Sequence, residues 1–113
     1  MNLNEIINKL QLNLLAGQDN LEINVTGGYT SDLLSDVIAN SHEKNLWITL
    51  QTHQNIIAVA KLKDLAGIII VNNREPGKDT IERAKEENVP LLCTSLKAFE
   101  VSGKLHTLIE PKD

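Results

Sequence analysis

Apolar and polar positions follow two different periods along this chain, and each change of period marks a new element. From Leu46 onward, three short apolar runs have the length of buried strands, and segments with helical spacing separate them. These runs are Leu46-Trp47-Ile48-Thr49-Leu50, Ile68-Ile69-Ile70-Val71 and Leu91-Leu92-Cys93. A run that is apolar on both faces belongs in the middle of a parallel sheet. The alternation of strand and helix therefore predicts a parallel sheet with right-handed crossovers and helices on its faces.

The helices predicted after these strands differ in character. The first, Ile56 to Leu65, is strongly apolar, whereas the second, capped by Asp79, is charged except for a narrow apolar edge. We expect the last helix to turn Leu96, Phe99 and Leu105 inward, with a polar tail from Glu110 to Asp113 after it.

The first third of the chain has shorter elements. A first helix is predicted from apolar positions on one face, at Leu3, Ile6, Ile7 and Leu10. Leu12 to Leu15 then favours an extended piece, and the alternation of Leu21, Ile23 and Val25 with polar residues is typical of a half-buried strand.

The adjacent glycines Gly27 and Gly28 are the most specific local feature. Because glycine adopts backbone angles closed to other residues, we expect a turn here, leading into an amphipathic helix capped by Thr30 or Ser31. Bare amides at such a helix start suit an anion. The alternative is a purely structural turn, because Asp32 and Asp36 would repel an anion.

The bulk composition narrows the class of protein. A chain of 113 residues with 42% hydrophobic and 23% charged residues predicts one globular domain over residues 1–113. A net charge of -4 and only 3% aromatics argue against a nucleic-acid partner, and no apolar run has the length of a membrane span. The single cysteine, Cys93, indicates a reducing cytoplasm and a buried apolar role.

Known catalytic and metal-binding patterns do not match the chain. The histidines His42, His53 and His106 lack the spacing of a zinc site, so no metal and no cofactor are expected. The P-loop pattern also fails, because Asp79 follows Gly77-Lys78 and Leu105 follows Gly103-Lys104. Nucleoside triphosphate chemistry of the P-loop class is thereby excluded.

Ligands of open parallel sheets bind beyond the carboxyl ends of the strands, where this chain has polar segments. These segments are Gln51-Thr52-His53-Gln54, Asn72-Asn73-Arg74-Glu75 and Thr94-Ser95. If the Gly27-Gly28 turn folds to the same side, one crevice forms, with ligand contacts at Thr26, Gly27, Gly28, Thr30, His53, Asn72 and Arg74. The alternative is ordinary loop polarity, with His53 as a helix-capping or surface residue.

The chain resembles the DRTGG domain family over nearly its whole length. The resemblance is carried by Val25-Thr26-Gly27-Gly28, the strand from Leu46 to Leu50, Ala66 to Asn72, Arg74-Glu75-Pro76 and Val89-Pro90-Leu91-Leu92. The motif is incomplete, since Asn24 and Val25 stand where Asp and Arg would be. The chain looks most like the small stand-alone versions of this domain that are found beside iron-only hydrogenase genes. The amino-terminal domain of HPr kinase/phosphorylase is built alike, which implies a three-layer α/β/α fold with a small, mainly parallel sheet.

The resemblance implies a regulatory domain with no catalytic residues to transfer. We therefore expect a non-catalytic sensor of a small anionic metabolite or nucleotide, accessory to hydrogenase function or its regulation. The alternative is a protein-interaction module for a hydrogenase or a signalling ATPase. An enzyme that uses His53 with Arg74 is the third hypothesis. We also predict a homodimer, through the apolar helix of residues 56–65 or through Trp47.

Overall fold

A five-stranded sheet runs through the middle of the molecule, with helices on both faces. The computed structural model describes residues 1–109, and the predicted polar tail lies outside them. The strands are β1 (Asn13–Ala16), β2 (Gly27–Thr30), β3 (Asn45–Thr49), β4 (Gly67–Ile70) and β5 (Leu91–Cys93). The helices are α1 (Leu3–Leu10), α2 (Leu34–Asn40), α3 (Asn55–Lys63), α4 (Lys78–Glu87) and α5 (Ala98–Ile109).

The strand order is β1-β5-β4-β3-β2, and the four strands β2 to β5 run parallel to one another. Gly28 pairs with Leu46, and Ile48 pairs with Ile69. Strand β1 alone pairs antiparallel, against β5. The prediction of a small, mainly parallel sheet is confirmed, and the three apolar runs form its centre.

Alternate side chains of the strands enter two separate cores. Leu46 and Ile48 of β3 pack with α1 and α5 on one face of the sheet. Trp47, between them, packs with α2, α3 and α4 on the other face. This is the three-layer α/β/α arrangement that the sequence resemblance implies.

The chain reverses direction at Gly17, directly after β1. Its φ of +84° lies in the left-handed region, and a Cβ atom there would stand 2.4 Å from the backbone of Pro90. Glycine is required at this position on both counts, because other residues disfavour that φ and no atom fits against Pro90. The reversal holds β1 beside β5.

The predicted Gly27-Gly28 turn is wrong, because both glycines lie within edge strand β2. The Thr26 and Ser31 N–H groups donate to the Lys44 and Ile48 carbonyls, which ties this stretch to β3 at both ends. Helix α2 starts only at residue 34, beyond the end of β2, so the glycines do not lead directly into a helix start.

The strand predicted around residues 21–25 is also wrong. A short 3₁₀ turn, Gln18–Asn20, precedes this segment, and only Asn24 makes an isolated bridge, to Asn2. The apolar residues of the segment are used instead to pack against α1, where the Leu3 N–H donates to the Ile23 carbonyl.

Two apolar side chains are placed differently from the sequence prediction. Phe99, expected to face inward, is 91% exposed, because the core-facing side of α5 carries Val101 and Leu105 instead. Trp47 is fully buried, and its indole N–H donates to the Ser31 carbonyl at 2.8 Å. Burial rules Trp47 out as a dimer contact.

Candidate functional site

A groove of about 360 Å³ lies between strand β2 and helix α5. We call it the β2–α5 groove. Its lining residues are Thr26, Gly27, Gly28, Thr30, Ile48, Ser102, Leu105, His106 and Ile109. The side chains comprise an apolar floor, three hydroxyls and one imidazole. The volume falls in the range of roughly 300–1,000 Å³ that is typical of small-molecule sites.

The groove exists because β2 carries small residues on the face that α5 covers. A Cβ atom at Gly28 would lie 2.9 Å from Cδ2 of Leu105, so glycine permits the helix to approach. At the carboxyl end of β2, the hydroxyls of Thr30 and Ser102 are hydrogen-bonded at 2.7 Å. Strand and helix are thus joined at one end of the groove.

Thr26 fixes the other end of β2. Its hydroxyl donates to the Glu43 carbonyl at 2.8 Å and accepts from the Asn45 side-chain amide at 3.1 Å. With its hydrogen committed to Glu43, this hydroxyl retains only acceptor capacity for a ligand. The main role of Thr26 is therefore to hold the strand in register with β3.

His53 lies in a different cavity, of about 450 Å³, between the loop after β3 and the start of α4. We call it the His53 pocket, and its lining residues are Thr52, His53, Gln54, Gly77, Lys78, Asp79 and Thr80. Nδ1 of His53 accepts from the Asn55 backbone N–H at 3.1 Å, so this imidazole satisfies the first amide of α3, whose N-cap residue Gln54 makes no side-chain cap. Helix α4 begins after Gly77, and not at the predicted cap Asp79.

Asn72 and Arg74 line neither cavity. They belong to an exposed turn after β4, in which Asn72 and Asn73 both have left-handed φ values, of 62° and 57°. The N–H groups of these two asparagines donate to the Leu96 and Thr94 carbonyls, which ties the turn to the loop before α5.

The predicted ligand contacts are therefore divided among three places. Thr26, Gly27, Gly28 and Thr30 share the β2–α5 groove, His53 lies in its own pocket, and the asparagine turn stands apart. The single crevice at the carboxyl ends of the strands does not form. Gly27 and Gly28 lie within β2 and line the groove under α5, away from the loops that follow β3 and β4. Whether any of these residues binds a ligand stays a prediction.

Helix α5 supplies the groove residues that the sequence reasoning did not bring together. Ser102, His106 and Ile109 recur at helical spacing, so they form one stripe beside β2. That helical spacing was the signal in the sequence that these three side chains share one face of α5. It was missed because the sequence alone did not place α5 against the glycine strand.

The other face of β2 carries a hydrogen-bonded cluster. The Tyr29 hydroxyl is 2.9 Å from each carboxylate oxygen of Asp36, and the Asn40 amide donates to the same carboxylate at 2.8 Å. Hydrogen bonds from Asn40, Ser31 and Tyr29 lower the pKa of Asp36. The hydrogen bond to Asp36 raises the pKa of Tyr29. These groups fix α2 on the sheet and do not face the groove.

The thiol of Cys93 lies in a partly buried position at the end of β5. Burial raises the pKa of the Cys93 thiol, which disfavours the nucleophilic thiolate. Within residues 1–109, no cluster of three or more His, Cys, Asp or Glu side chains is arranged to hold a metal ion. No helix in that same range is long and apolar enough to cross a membrane.

The comparisons with known proteins identify the family. The DRTGG domain family model matches residues 5–108, so the chain belongs to the DRTGG domain family. The Thr-Gly-Gly part of that motif is Thr26-Gly27-Gly28, which forms one wall of the β2–α5 groove. Val25, at the position of the motif's arginine, is buried in the core. Among curated proteins, no sequence matches the chain.

A solved structure shares the fold. It is the crystal structure of the CBS and DRTGG domains of the regulatory region of Clostridium perfringens pyrophosphatase, complexed with its activator diadenosine tetraphosphate. The TM-score is 0.67 at 16% sequence identity. The match covers 91% of this chain and 44% of the pyrophosphatase chain, so this chain spans less than half of that length.

Proposed function

We propose that this chain is a non-catalytic regulatory domain whose β2–α5 groove binds a small nucleotide. The observation that carries the proposal is the position of the family motif, since Thr26-Gly27-Gly28 lines a cavity of about 360 Å³. The fold neighbour supports the ligand class, because that regulatory region is complexed with a dinucleotide activator.

The chemistry of the groove supports binding without catalysis. Its lining includes no carboxylate and no cysteine. The hydroxyls of Thr30 and Ser102 are hydrogen-bonded to each other, and within residues 1–109 no hydrogen bond joins either hydroxyl to His106 as a nucleophile to its base.

Thermal denaturation with added nucleotide tests the proposal, because a ligand that binds only the native state raises Tm. We expect ATP or diadenosine tetraphosphate at millimolar concentration to raise the Tm of the natural chain. Ser102→Tyr should abolish the shift by filling the groove. Thr107→Tyr places the same bulk elsewhere on α5 and should retain it. A natural chain whose Tm does not respond to any nucleotide contradicts the proposal.

A protein-interaction module is the second candidate, favoured by exposed apolar side chains. Phe99 is 91% exposed, Leu62 on α3 is 69% exposed and Leu33 is 63% exposed. Such side chains suit a protein contact, and a homodimer or a hydrogenase-related or signalling partner is proposed on that basis.

Sedimentation equilibrium distinguishes the two surfaces that a dimer would use. If α3 forms the contact, Leu62→Ser should weaken the dimer while Phe99→Ser leaves it intact. If α5 forms the contact, the effects should be reversed. A monomer at the highest attainable concentration contradicts the homodimer.

A further inference from the structure

We propose that the β2–α5 groove holds the uncharged nucleoside part of its ligand and leaves the phosphates outside. This inference rests on the proposed function and specifies which part of a nucleotide is recognised. The first observation is the charge of the lining, which includes no Lys, Arg, Asp or Glu side chain. Phosphate sites in proteins use cationic side chains or clustered backbone N–H groups, which are strong partners for an anion.

The hydroxyl pair at one end of the groove provides both donors and acceptors. The hydrogen bond between Thr30 and Ser102 uses one of their two hydroxyl hydrogens, so the second is available to donate to a ligand. Each hydroxyl oxygen also retains acceptor capacity. This mixture suits a ribose hydroxyl or the edge of a base, both of which donate and accept.

His106 adds a further polar group. It lines the groove one turn after Ser102 on α5. A neutral imidazole offers one donor and one acceptor, as does the edge of a purine. The polar groups of the groove therefore match an uncharged ligand that both donates and accepts.

The apolar floor suits a flat aromatic body. Ile48 and Leu105 are each only 1% exposed, so they close the bottom of the groove, and its accessible apolar atoms belong mainly to the other lining residues, among them half-buried Ile109. Burial of a base against such a surface removes apolar area from water, at roughly 25 cal/mol per Å². An inorganic anion would gain nothing from this floor.

The His53 pocket shows the contrast within the same chain. It combines Lys78 with the start of α4, where backbone N–H groups are not capped by a side chain, although the Asp79 carboxylate also lines this pocket and offsets part of that positive charge. A ligand recognised through its phosphates would be expected there and not in the groove. The two cavities therefore give distinguishable results when nucleosides and phosphates are compared.

Isothermal titration calorimetry with adenosine, ATP, diadenosine tetraphosphate and sodium pyrophosphate tests the inference. We expect adenosine to bind within about tenfold of ATP, because the groove contacts their common part. Pyrophosphate should not displace adenosine, and the Kd of adenosine should change little with salt. ATP that binds more than about a hundredfold tighter than adenosine, or displacement by pyrophosphate, would overturn the inference.

Point variants and NMR amide chemical shifts identify the cavity in which adenosine binds. His106→Ala and Ser102→Ala should each weaken adenosine binding about 5- to 30-fold, the effect of one lost hydrogen bond. Lys78→Ala, in the other cavity, should leave it unchanged. If ATP binds and its chemical-shift changes map to residues 77–80, which line the His53 pocket, the inference fails while the regulatory proposal stands. If none of the four compounds binds, the proposed function itself is overturned.

Discussion

The two faces of strand β2 are covered in opposite ways. Towards α2, Tyr29 fills the space above the strand, and its hydroxyl is hydrogen-bonded to Asp36. Towards α5, Gly28 has no side chain and Thr30 is short, so a groove remains under the helix. The same strand thus has one closed face and one open face. The difference shows that side-chain size along this edge strand determines on which face a cavity remains.

The largest expected effect comes from the floor of the open face. Leu105 is 1% exposed and contacts the position of Gly28, so Leu105→Ala should destabilise the fold by about 2–5 kcal/mol. Urea denaturation measures the change. Phe99→Ala on the same helix should cost less than about 0.5 kcal/mol, because that side chain is 91% exposed. Equal losses of unfolding free energy in the two variants would contradict the orientation of α5, with Leu105 buried and Phe99 exposed.

Gly28→Val closes the open face directly. Its Cβ atom would lie 2.9 Å from Leu105 Cδ2, so we expect about 1–3 kcal/mol of destabilisation together with loss of nucleotide binding. Gly103→Ala is the matched control, because nothing lies within 4 Å of a Cβ atom at that helical position. It should stabilise the protein by about 0.5–1 kcal/mol. Thermal denaturation compares the two variants.

Variants of His53 and His106 test which of the two histidines stabilises the fold and which binds nucleotide. His53→Ala removes the acceptor of the Asn55 N–H at the start of α3 and should destabilise the fold by about 0.5–1.5 kcal/mol, the net effect of one hydrogen bond, while nucleotide affinity is unchanged. His106→Ala should have the reverse effect, with lower affinity and nearly unchanged stability. Calorimetric titration and urea denaturation of both variants check this. Loss of affinity in His53→Ala alone would move the site to the His53 pocket.

The smallest expected effect concerns acid titration on the closed face. Because hydrogen bonds lower the pKa of Asp36 in the folded state, its ionised form stabilises the fold above its ordinary pKa. That contribution is lost as pH falls through the lowered pKa. Asn40→Ala removes the largest cause and should raise the pKa of Asp36 toward its ordinary value. NMR titration of the Asp36 carboxyl carbon measures this pKa. An unchanged pKa in Asn40→Ala would contradict the role of Asn40 in lowering it.

The centre of the fold could be predicted from the sequence because burial leaves a clear pattern. The runs that became β3, β4 and β5 are apolar at nearly every position, which is typical of strands covered on both faces. Helix α3 was also predicted closely, with observed bounds at Asn55–Lys63. In these segments local pattern and tertiary packing point to the same structure.

The edge of the fold and the candidate site could not be predicted in this way. Gly27 and Gly28 have strong turn propensity, yet pairing with β3 and the close approach of α5 place them in a strand. Phe99 follows the helical period of an inward residue, but Val101 and Leu105 define the face that is buried. His106 was an isolated histidine in the sequence, because only the tertiary fold brings α5 beside the glycines.

The positions of β1 and β2 at opposite edges of the sheet have a consequence for how the chain folds. Both edges come from the first third of the sequence, but β2 pairs with β3 and β1 pairs with β5, which is the last strand in the chain. During synthesis this segment leaves the ribosome before the strands to which it must pair. Strands β2, β3, β4 and β5 follow one another in sequence as βαβ units with short connections, so they are expected to nucleate folding. Strand β1 pairs with β5 across the whole length of those units and is expected to dock late.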